Sequence, residues 1–318
     1  TAAKAISSAS GTADAMEVLA PVALNIDQIK KVVDETDGCI AWGGRLNLAA
    51  ADDKLIRIRN PLHLDPDPLL LSSIIAKKRA EGASYVLIDI PYGRGAKIDN
   101  LERAENLAEQ FRVTGFHLGM RIDTAITDGT EPTVRTIGPA QEAKMVLETL
   151  DGEGSSVLLQ KSCRLAGLMI SQIKNVSPEE GFKIALRQVK SKAALKKLRE
   201  IIEAQGGNPK VKSKDISVGE YSHTVKSEDE GEVNHLDNKD ISQIVRYLGA
   251  PTDKKGGVVL HARKHERVKK GSPLYTLYSS DKSKLSFALE QLKHYPIVTL
   301  EKVVIDFQKG QAPSKGKK

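Results

Sequence analysis

The spacing of apolar positions in the first part of the chain predicts two helices followed by a short strand. Residues 11–37 carry apolar side chains at helical intervals, and Pro21 is expected to divide this stretch in two. Gly38 follows as a stop signal, and the run CIAWG (39–43) predicts a short buried strand. The next segment, 47–65, is polar and irregular.

Further along, strands alternate with helices. The run YVLIDI (85–90) predicts a strand of the kind that is buried in a parallel sheet, and MRIDTAIT (120–127) predicts the next strand. Helices are expected over roughly 99–115 and after Gly138-Pro139. This βαβ order predicts an α/β fold in which helices flank a mostly parallel sheet.

The composition changes near 206–217, where Gly, Pro and Lys replace the periodic pattern. Short strand-like runs with turns follow, and they predict a smaller C-terminal α+β domain over 213–310. The α/β domain is therefore expected to span 1–212. Residues 311–318 are expected to form a disordered tail.

Composition and charge argue against two classes of partner. Hydrophobic residues make up 40% of the 318 residues, but no apolar run approaches the ~20 residues that a membrane helix needs. The formal net charge of +7 is spread between the tail and the helical pattern at 183–200. Because aromatic residues are only 4% and few lie among the basic ones, neither nucleic acid nor a membrane is an expected partner.

The cysteine and histidine positions predict no disulfide framework and no metal site. Cys39 and Cys163 have apolar neighbours and no CxxC spacing, which favours buried thiols in a reduced cytoplasmic setting. His261 and His265 are four residues apart, but their segment is predicted as strand and turn without a third acidic ligand.

A well-marked helix is predicted from Asp67, a natural N-cap, to just before Gly82. Ser73 and Lys77 are one turn apart and share a face, where a hydroxyl and an ammonium group can hold a carbonyl, a heterocycle edge or a phosphate. A solvated lysine beside a serine is the commoner explanation. Asp65 could be a general acid if burial raised its pKa, or a second capping carboxylate.

Two short segments could bind an anion. The loop Gly93-Arg94-Gly95-Ala96-Lys97 follows a strand and precedes a helix, so its backbone could approach a phosphate closely. Its spacing matches neither the dinucleotide fingerprint nor a P-loop, and an ordinary tight turn is the alternative. The run SSASGT (7–12) could present hydroxyl and N–H groups to a phosphate or could cap the following helix.

Seven longer sequence segments resemble those of a known protein family. They are AISSASGTADAMEVLAPV (5–22), WGGRLNLAAADDK (42–54), LDPDPLLLSSIIAKK (64–78), VLIDIPYGRGAKI (86–98), TIGPAQEAKMVLETLDG (136–152), EIIEAQGGNPK (200–210) and GAPTDKKGG (249–257). Together they resemble the thymidine/pyrimidine nucleoside phosphorylase family, and most closely its archaeal-type branch, which includes AMP phosphorylases and bacterial thymidine phosphorylase-like proteins. The resemblance covers nearly the whole chain.

The resemblance implies a pentosyltransferase, in which phosphate attacks the anomeric carbon and releases the base and a sugar 1-phosphate. The main expectation is thymidine phosphorylase-like cleavage of a pyrimidine nucleoside. The alternatives are a nucleoside 5′-monophosphate (AMP) phosphorylase and a truncated homologue that binds a nucleotide without turnover. No cofactor is implied beyond inorganic phosphate as co-substrate. The implied assembly is a homodimer through a helical domain, of which residues 53–82 resemble a remnant.

The resemblance also assigns roles by position. Asp65 matches the catalytic proton donor, and Ser73 and Lys77 match contacts to the base or nucleotide. Lys97 matches a substrate contact, and the base-contacting arginine falls on either Arg59 or Arg57. The remaining matches are to a phosphate- or nucleotide-binding strip, and they are Lys4, Ser7, Ser8 and Thr12.

Two departures from the family pattern stand out. Ala2, Ala3 and Lys4 replace Ser-Ser-Arg or Ser-Gly-Arg, which removes a hydroxyl expected on phosphate and replaces a bidentate cation with a point charge. The family's upstream segment, with most of the helical domain and a Lys-His-Ser glycine-rich phosphate loop, has no counterpart in these residues. The chain is therefore expected to be a fragment, a cleaved product or one piece of a split protein.

Overall fold

The computed structural model describes residues 1–5, 8–46 and 66–301. Helices dominate the part before residue 205, and strands dominate the part after residue 220. The elements are α1 (Thr12–Glu17), α2 (Ile26–Thr36), α3 (Asp67–Ala80), β1 (Tyr85–Tyr92), α4 (Leu101–His117), β2 (Arg121–Asp128), β3 (Thr136–Ile137), α5 (Pro139–Asp151), α6 (Ser156–Lys174), α7 (Pro178–Lys190), α8 (Ala193–Ala204), β4 (Tyr221–Lys226), β5 (Gly231–Leu236), α9 (Asn238–Tyr247), β6 (Gly257–Leu260), β7 (Arg267–Val268), β8 (Pro273–Ser279), α10 (Lys282–Gln291) and β9 (Val298–Glu301).

The predicted fold class, α/β with a smaller C-terminal α+β part, is confirmed. β1 and β2 pair in parallel from Tyr85 opposite Arg121 to Tyr92 opposite Asp128. The helix between them, α4, buries Phe111 at 1% exposure in a core shared with α3 and both strands. Among the described strands, this two-stranded sheet is the parallel part of the fold.

Up to residue 301, where the described residues end, the C-terminal part has two antiparallel sheets and two helices. One sheet has the strand order β3-β6-β8-β4, and the other has the order β7-β5-β9. The helices α9 and α10 close a core in which Ile244, Val245 and Leu277 are fully buried. Strand β3 lies before α5 in the chain, yet Thr136 pairs with Val259 of β6. The first half of the chain therefore supplies one edge of the C-terminal sheet.

Three local predictions were wrong. Asp67 is the first residue of α3 rather than its N-cap, which is Pro66. The run 39–43 forms no strand, because only Trp42 makes a bridge, to Ala2. The pattern at 183–200 is divided between α7 and α8, because Lys192 takes a left-handed conformation with φ 61° that ends the first helix.

Both cysteines are free thiols. Cys163 is 3% exposed and Cys39 is partly buried, and burial raises the pKa of each thiol. None of the helices in the described ranges is long and apolar enough to cross a membrane. The predicted irregular segment 47–65 and the predicted tail 311–318 lie outside the described residues.

Candidate functional site

Helix α3 holds Ser73 and Lys77 on one face, as the four-residue spacing predicted. Lys77 Nζ donates to Ser73 Oγ over 3.4 Å, which is at the long end of the hydrogen-bond range. Ser73 is only 7% exposed, and its neighbour Ile75 is 3% exposed in the core with β1 and α4. The apolar side of α3 therefore fixes the helix, and the hydroxyl and ammonium groups are held together beside it.

Arg103, which no sequence pattern had marked as a site residue, ties this helix to the glycine loop. Arg103 of α4 donates to both oxygens of Asp67, over 2.7 and 3.0 Å, and to the carbonyl of Lys97 over 3.4 Å. The hydrogen bonds from Arg103 hold the pKa of Asp67 below its ordinary value, as expected for a bidentate charge pair. Asp67 thus works as a cross-link between two helices instead of as a cap.

The loop Gly93–Lys97 is a tight turn with an exposed cationic edge. Gly93 has φ 133°, and a Cβ there would lie 2.5 Å from the side chain of Thr130, so this position requires glycine. Ala96 N donates to Gly93 O over 3.0 Å and closes the turn. Arg94 and Lys97 are exposed on it, so the loop can present two positive charges to an anion.

The N-terminal strip, defined as residues 2–5 and 8–11, is wound around one buried carboxylate. Asp14 of α1 is 1% exposed, and its Oδ2 accepts from Ala5 N over 2.7 Å and from Gly11 N over 3.1 Å. A Cβ at Gly11 would lie 2.5 Å from the carbonyl of Ala3. The strip therefore closes into a loop only because glycine allows this approach.

The predicted phosphate contacts in the strip differ in how they are used. Lys4 Nζ pairs with Glu17 at 2.8 Å and lies 4.8 Å from the ring centroid of Trp42. Ser8 Oγ donates to the carbonyl of Ser10 over 2.7 Å. Thr12 is exposed at the first position of α1. Lys4 is thus held by Glu17, whereas Ser8 and Thr12 lie on the open side of the strip.

Four predicted site residues, Ser7, Arg57, Arg59 and Asp65, lie outside the described residues. The described ones form two groups on adjoining elements. The hydroxyl group of Thr1 donates to Glu81, the residue that follows α3. The residue before the strip therefore contacts the end of the helix that carries Ser73 and Lys77.

Residues from distant elements hold the strip in place, and sequence reasoning missed all of them. Lys254 Nζ lies 2.9 Å from Asp14 Oδ1 and 2.8 Å from Glu17 Oε2. Burial lowers the pKa of Lys254, but the hydrogen bonds that its ammonium group donates to Asp14 and Glu17 outweigh this effect, and the net shift is upward. Arg246 donates to the carbonyl of Ser8 over 2.6 Å. Among the sequence features, only the family-like segment GAPTDKKGG (249–257) contains Lys254.

A glutamate of α5 contacts the strip from another side. Glu142 accepts from Ser10 Oγ over 2.9 Å and from Gly138 N over 3.1 Å. Burial raises the pKa of Glu142, although both hydrogen bonds oppose the rise. A hydroxyl donor such as Ser10 suits either protonation state of this carboxyl group.

A further cleft lies elsewhere, at the carboxyl end of β2. It has a volume of ≈ 1030 Å³, and neither α3 nor the strip lines it. At its base Lys161 lies 3.3 Å from Asp89, which accepts from Thr127 over 2.6 Å. The ammonium group of Lys161 and the carboxylate group of Asp89 therefore form an ion pair beside the cleft.

The two histidines considered as metal ligands are engaged separately. His261 Nε2 lies 2.7 Å from Thr276 Oγ1, and His265 Nδ1 lies 3.1 Å from Glu232. Across the described ranges, no cluster of three or more His, Cys, Asp or Glu side chains is arranged to hold a metal ion.

The α/β framework thus carries a helix face with Ser73 and Lys77 in contact, a glycine loop with two exposed cations, and exposed hydroxyl groups at Ser8 and Thr12. Residues 232–297 match the family model of the pyrimidine nucleoside phosphorylase C-terminal domain. The chain is 42% identical to the AMP phosphorylase of Methanococcoides burtonii and 43% identical to that of Pyrococcus furiosus, over 307 residues in each case. It is 46% identical over 291 residues to AMP phosphorylase 1 of Archaeoglobus fulgidus.

The comparisons therefore confirm the predicted resemblance to the pyrimidine nucleoside phosphorylase family and to its AMP phosphorylase branch. The first two alignments cover 96% of this chain and 61% of each relative, and the third covers 91% and 57%. The chain thus spans about three-fifths of the length of these relatives.

Proposed function

We propose that this chain carries the nucleotide-binding part of an AMP phosphorylase, a pentosyltransferase that cleaves a nucleoside 5′-monophosphate with inorganic phosphate. One observation carries the proposal: relatives named AMP phosphorylase align with 96% of the chain at 42–43% identity. This favours the nucleotide alternative over thymidine phosphorylase-like cleavage of a pyrimidine nucleoside. The cytoplasmic location and the homodimer stay predictions.

The proposed chemistry places a phosphate oxygen on the anomeric carbon as the bond to the base breaks. The electron pair of that bond moves to the base, which takes a proton from Asp65 as it leaves. Lys77 and Ser73 would stabilise the negative charge that grows on the base, because a preorganised donor and cation are worth most where charge develops. The exposed cations Arg94 and Lys97 suit a phosphate group.

A specific observation keeps the non-catalytic alternative as a second candidate. Ala2 and Ala3 carry no hydroxyl group, and Lys4 is paired with Glu17 at 2.8 Å. The strip therefore offers fewer phosphate-binding groups than the family pattern Ser-Ser-Arg or Ser-Gly-Arg. This difference favours a homologue that binds a nucleotide without turning it over.

Phosphate-dependent base release tests the proposal. The chain is assayed with AMP, CMP, thymidine and uridine, alone and with an added upstream segment from an AMP phosphorylase relative. We expect release from the nucleotides, and none from the nucleosides, when the added segment is present. Release from thymidine and uridine but from neither nucleotide would favour thymidine phosphorylase-like cleavage of a nucleoside instead. Nucleotide binding without release in either mixture would support the non-catalytic alternative.

A further inference from the structure

The strip and the start of α1 contact residues of the C-terminal part that lie more than 220 positions away. Arg246 of α9 donates to the carbonyl of Ser8 over 2.6 Å. Ala9, the next residue, is 1% exposed and packs in the core of the C-terminal part. Lys254 binds the carboxylate around which the strip turns, at 2.9 Å. Three contacts of different kinds therefore converge on a segment of seven residues, Ser8–Asp14.

The contact between Lys254 and Asp14 is the centre of this arrangement. Asp14 is 1% exposed, and its two oxygens accept from two backbone amides of the strip and from the ammonium of Lys254. A buried carboxylate that loses its cation is strongly destabilised, because its desolvation is no longer offset. The Asp14 carboxylate would then be held only by the amides of Ala5 and Gly11, and opening of the strip would return its charge to water.

The ammonium group of Lys254 also influences Lys4 of the strip, through Glu17. Lys254 shares Glu17 with Lys4, at 2.8 Å to each lysine, so two cations and two carboxylates form one continuous series of ion pairs. The hydrogen bonds from Lys254 and Lys4 overcome the effect of burial and lower the pKa of Glu17. Loss of Lys254 would therefore disturb both Asp14 and the position of Lys4.

We propose that Lys254 and Arg246 are positioning residues, through which the C-terminal part sets the conformation of the nucleotide-binding strip. This inference rests on the proposed function, because it takes the strip to be part of the ligand site. Neither residue belongs to the C-terminal hydrophobic core, whose members are apolar side chains. Their removal should therefore loosen the strip and leave the C-terminal part folded.

The test compares Lys254→Met with its neighbour Lys255→Met in the 318-residue chain. Lys255 is exposed, and its described contacts are made by backbone atoms, so the control removes the same charge. The first readout is hydrogen exchange of the Ala5 and Gly11 amides, which donate to Asp14. The second is the emission of Trp42, the only tryptophan of the chain, which lies beside Lys4. The third is the affinity for AMP, measured by calorimetry.

For Lys254→Met we expect exchange at Ala5 and Gly11 to be at least about tenfold faster, and AMP affinity about tenfold weaker, because a hydrogen bond to a buried charge is lost. The emission of Trp42 should shift. Lys254→Arg should restore most of each effect, and Lys255→Met should match the wild type. The unfolding midpoint of the C-terminal part should be the same in all variants.

Equal exchange and equal AMP affinity in Lys254→Met and Lys255→Met would overturn the inference. If Lys254→Met fails to fold, Arg246→Gln takes its place, since it removes the hydrogen bond to Ser8. That variant must then weaken AMP binding without lowering the unfolding midpoint, or the inference is wrong. If the wild-type chain binds no AMP, the proposed function fails, and the exchange of Ala5 and Gly11 still decides whether Lys254 positions the strip.

Discussion

Helix α3 with its loop and the N-terminal strip both carry predicted ligand contacts, but they are held in different ways. The first region is fixed by its own apolar face and by one partly exposed ion pair between Arg103 and Asp67, whose side chains are 34% and 28% exposed. The strip is fixed by a buried carboxylate and by cations from α9 and the loop after it. The comparison teaches that α3 and its loop are held by contacts within the α/β part, whereas the strip depends on contacts with the C-terminal part.

The largest expected effect is on the rate of base release, and it should distinguish Asp65 from the nearby carboxylate Asp67. Asp65→Asn should lower the rate of base release by at least about 100-fold, because a general acid contributes about 10²–10⁴ to the rate. Asp67→Asn removes a carboxylate that binds Arg103 and should leave turnover nearly unchanged. Steady-state kinetics of both variants, reconstituted with the added upstream segment, measure the difference. Wild-type rates in Asp65→Asn would remove the acid assignment.

A smaller effect is expected from the cation of α3. Lys77→Met should weaken kcat/KM for AMP by about tenfold or more, because a charge-assisted hydrogen bond is lost. Lys78→Met is the matched control, since Lys78 pairs with Glu81 at 3.0 Å. Hydrogen exchange of Ala5 and Gly11 should not change in either variant if the two regions are held independently. Faster exchange in Lys77→Met would show that they are coupled.

The smallest effects appear in the pH dependence of stability, where the two regions should have opposite signs. The pKa of Asp67 is lowered from 3.8 by Arg103, so this pair stabilises the fold above pH 3.8 and the contribution is lost as the pH falls through the lowered pKa. The contribution should be below about 1 kcal/mol, because the pair is partly exposed. Arg103→Met should lower the unfolding midpoint at neutral pH and have no effect in acid.

Glu142, on the strip side, should behave in the opposite way. Burial raises its pKa from 4.5, so the protonated form favours the folded state, and stability is lost as the pH rises from 4.5 toward the raised value. Glu142→Gln should therefore raise the unfolding midpoint at neutral pH and leave it unchanged well below pH 4.5. Thermal unfolding at several pH values checks both variants. The same sign in both regions would contradict the assignment of either pKa shift.

The elements with a clear local period could be predicted from the sequence. The run at 85–90 lies within β1, the run at 120–127 lies within β2 except for its first residue, and the helix predicted after Gly138-Pro139 is α5. The four-residue spacing of Ser73 and Lys77 also indicated their contact, because one helical turn separates them. The apolar period predicts such helices and strands, and the spacing predicts the Ser73–Lys77 contact, because both depend only on residues that are close in sequence.

The contacts that hold the strip could not be predicted in this way. Asp14 resembles an ordinary first-turn carboxylate, and nothing local marks Lys254, which is 240 residues away. Asp67 was assigned as a cap for a similar reason, since its partner Arg103 is 36 residues away. Charge pairs between distant elements have no period, so only the folded structure brings them together.

A comparison of AMP with adenosine tests the central claim most directly. The two ligands differ only in the 5′-phosphate, and calorimetric titration of the chain measures the affinity of each. The proposal predicts that AMP binds at least about tenfold more tightly, the effect of about 1.4 kcal/mol from phosphate contacts. The preference should shrink in Lys254→Met and persist in Lys255→Met. Equal affinities for AMP and adenosine in the wild type would contradict the account.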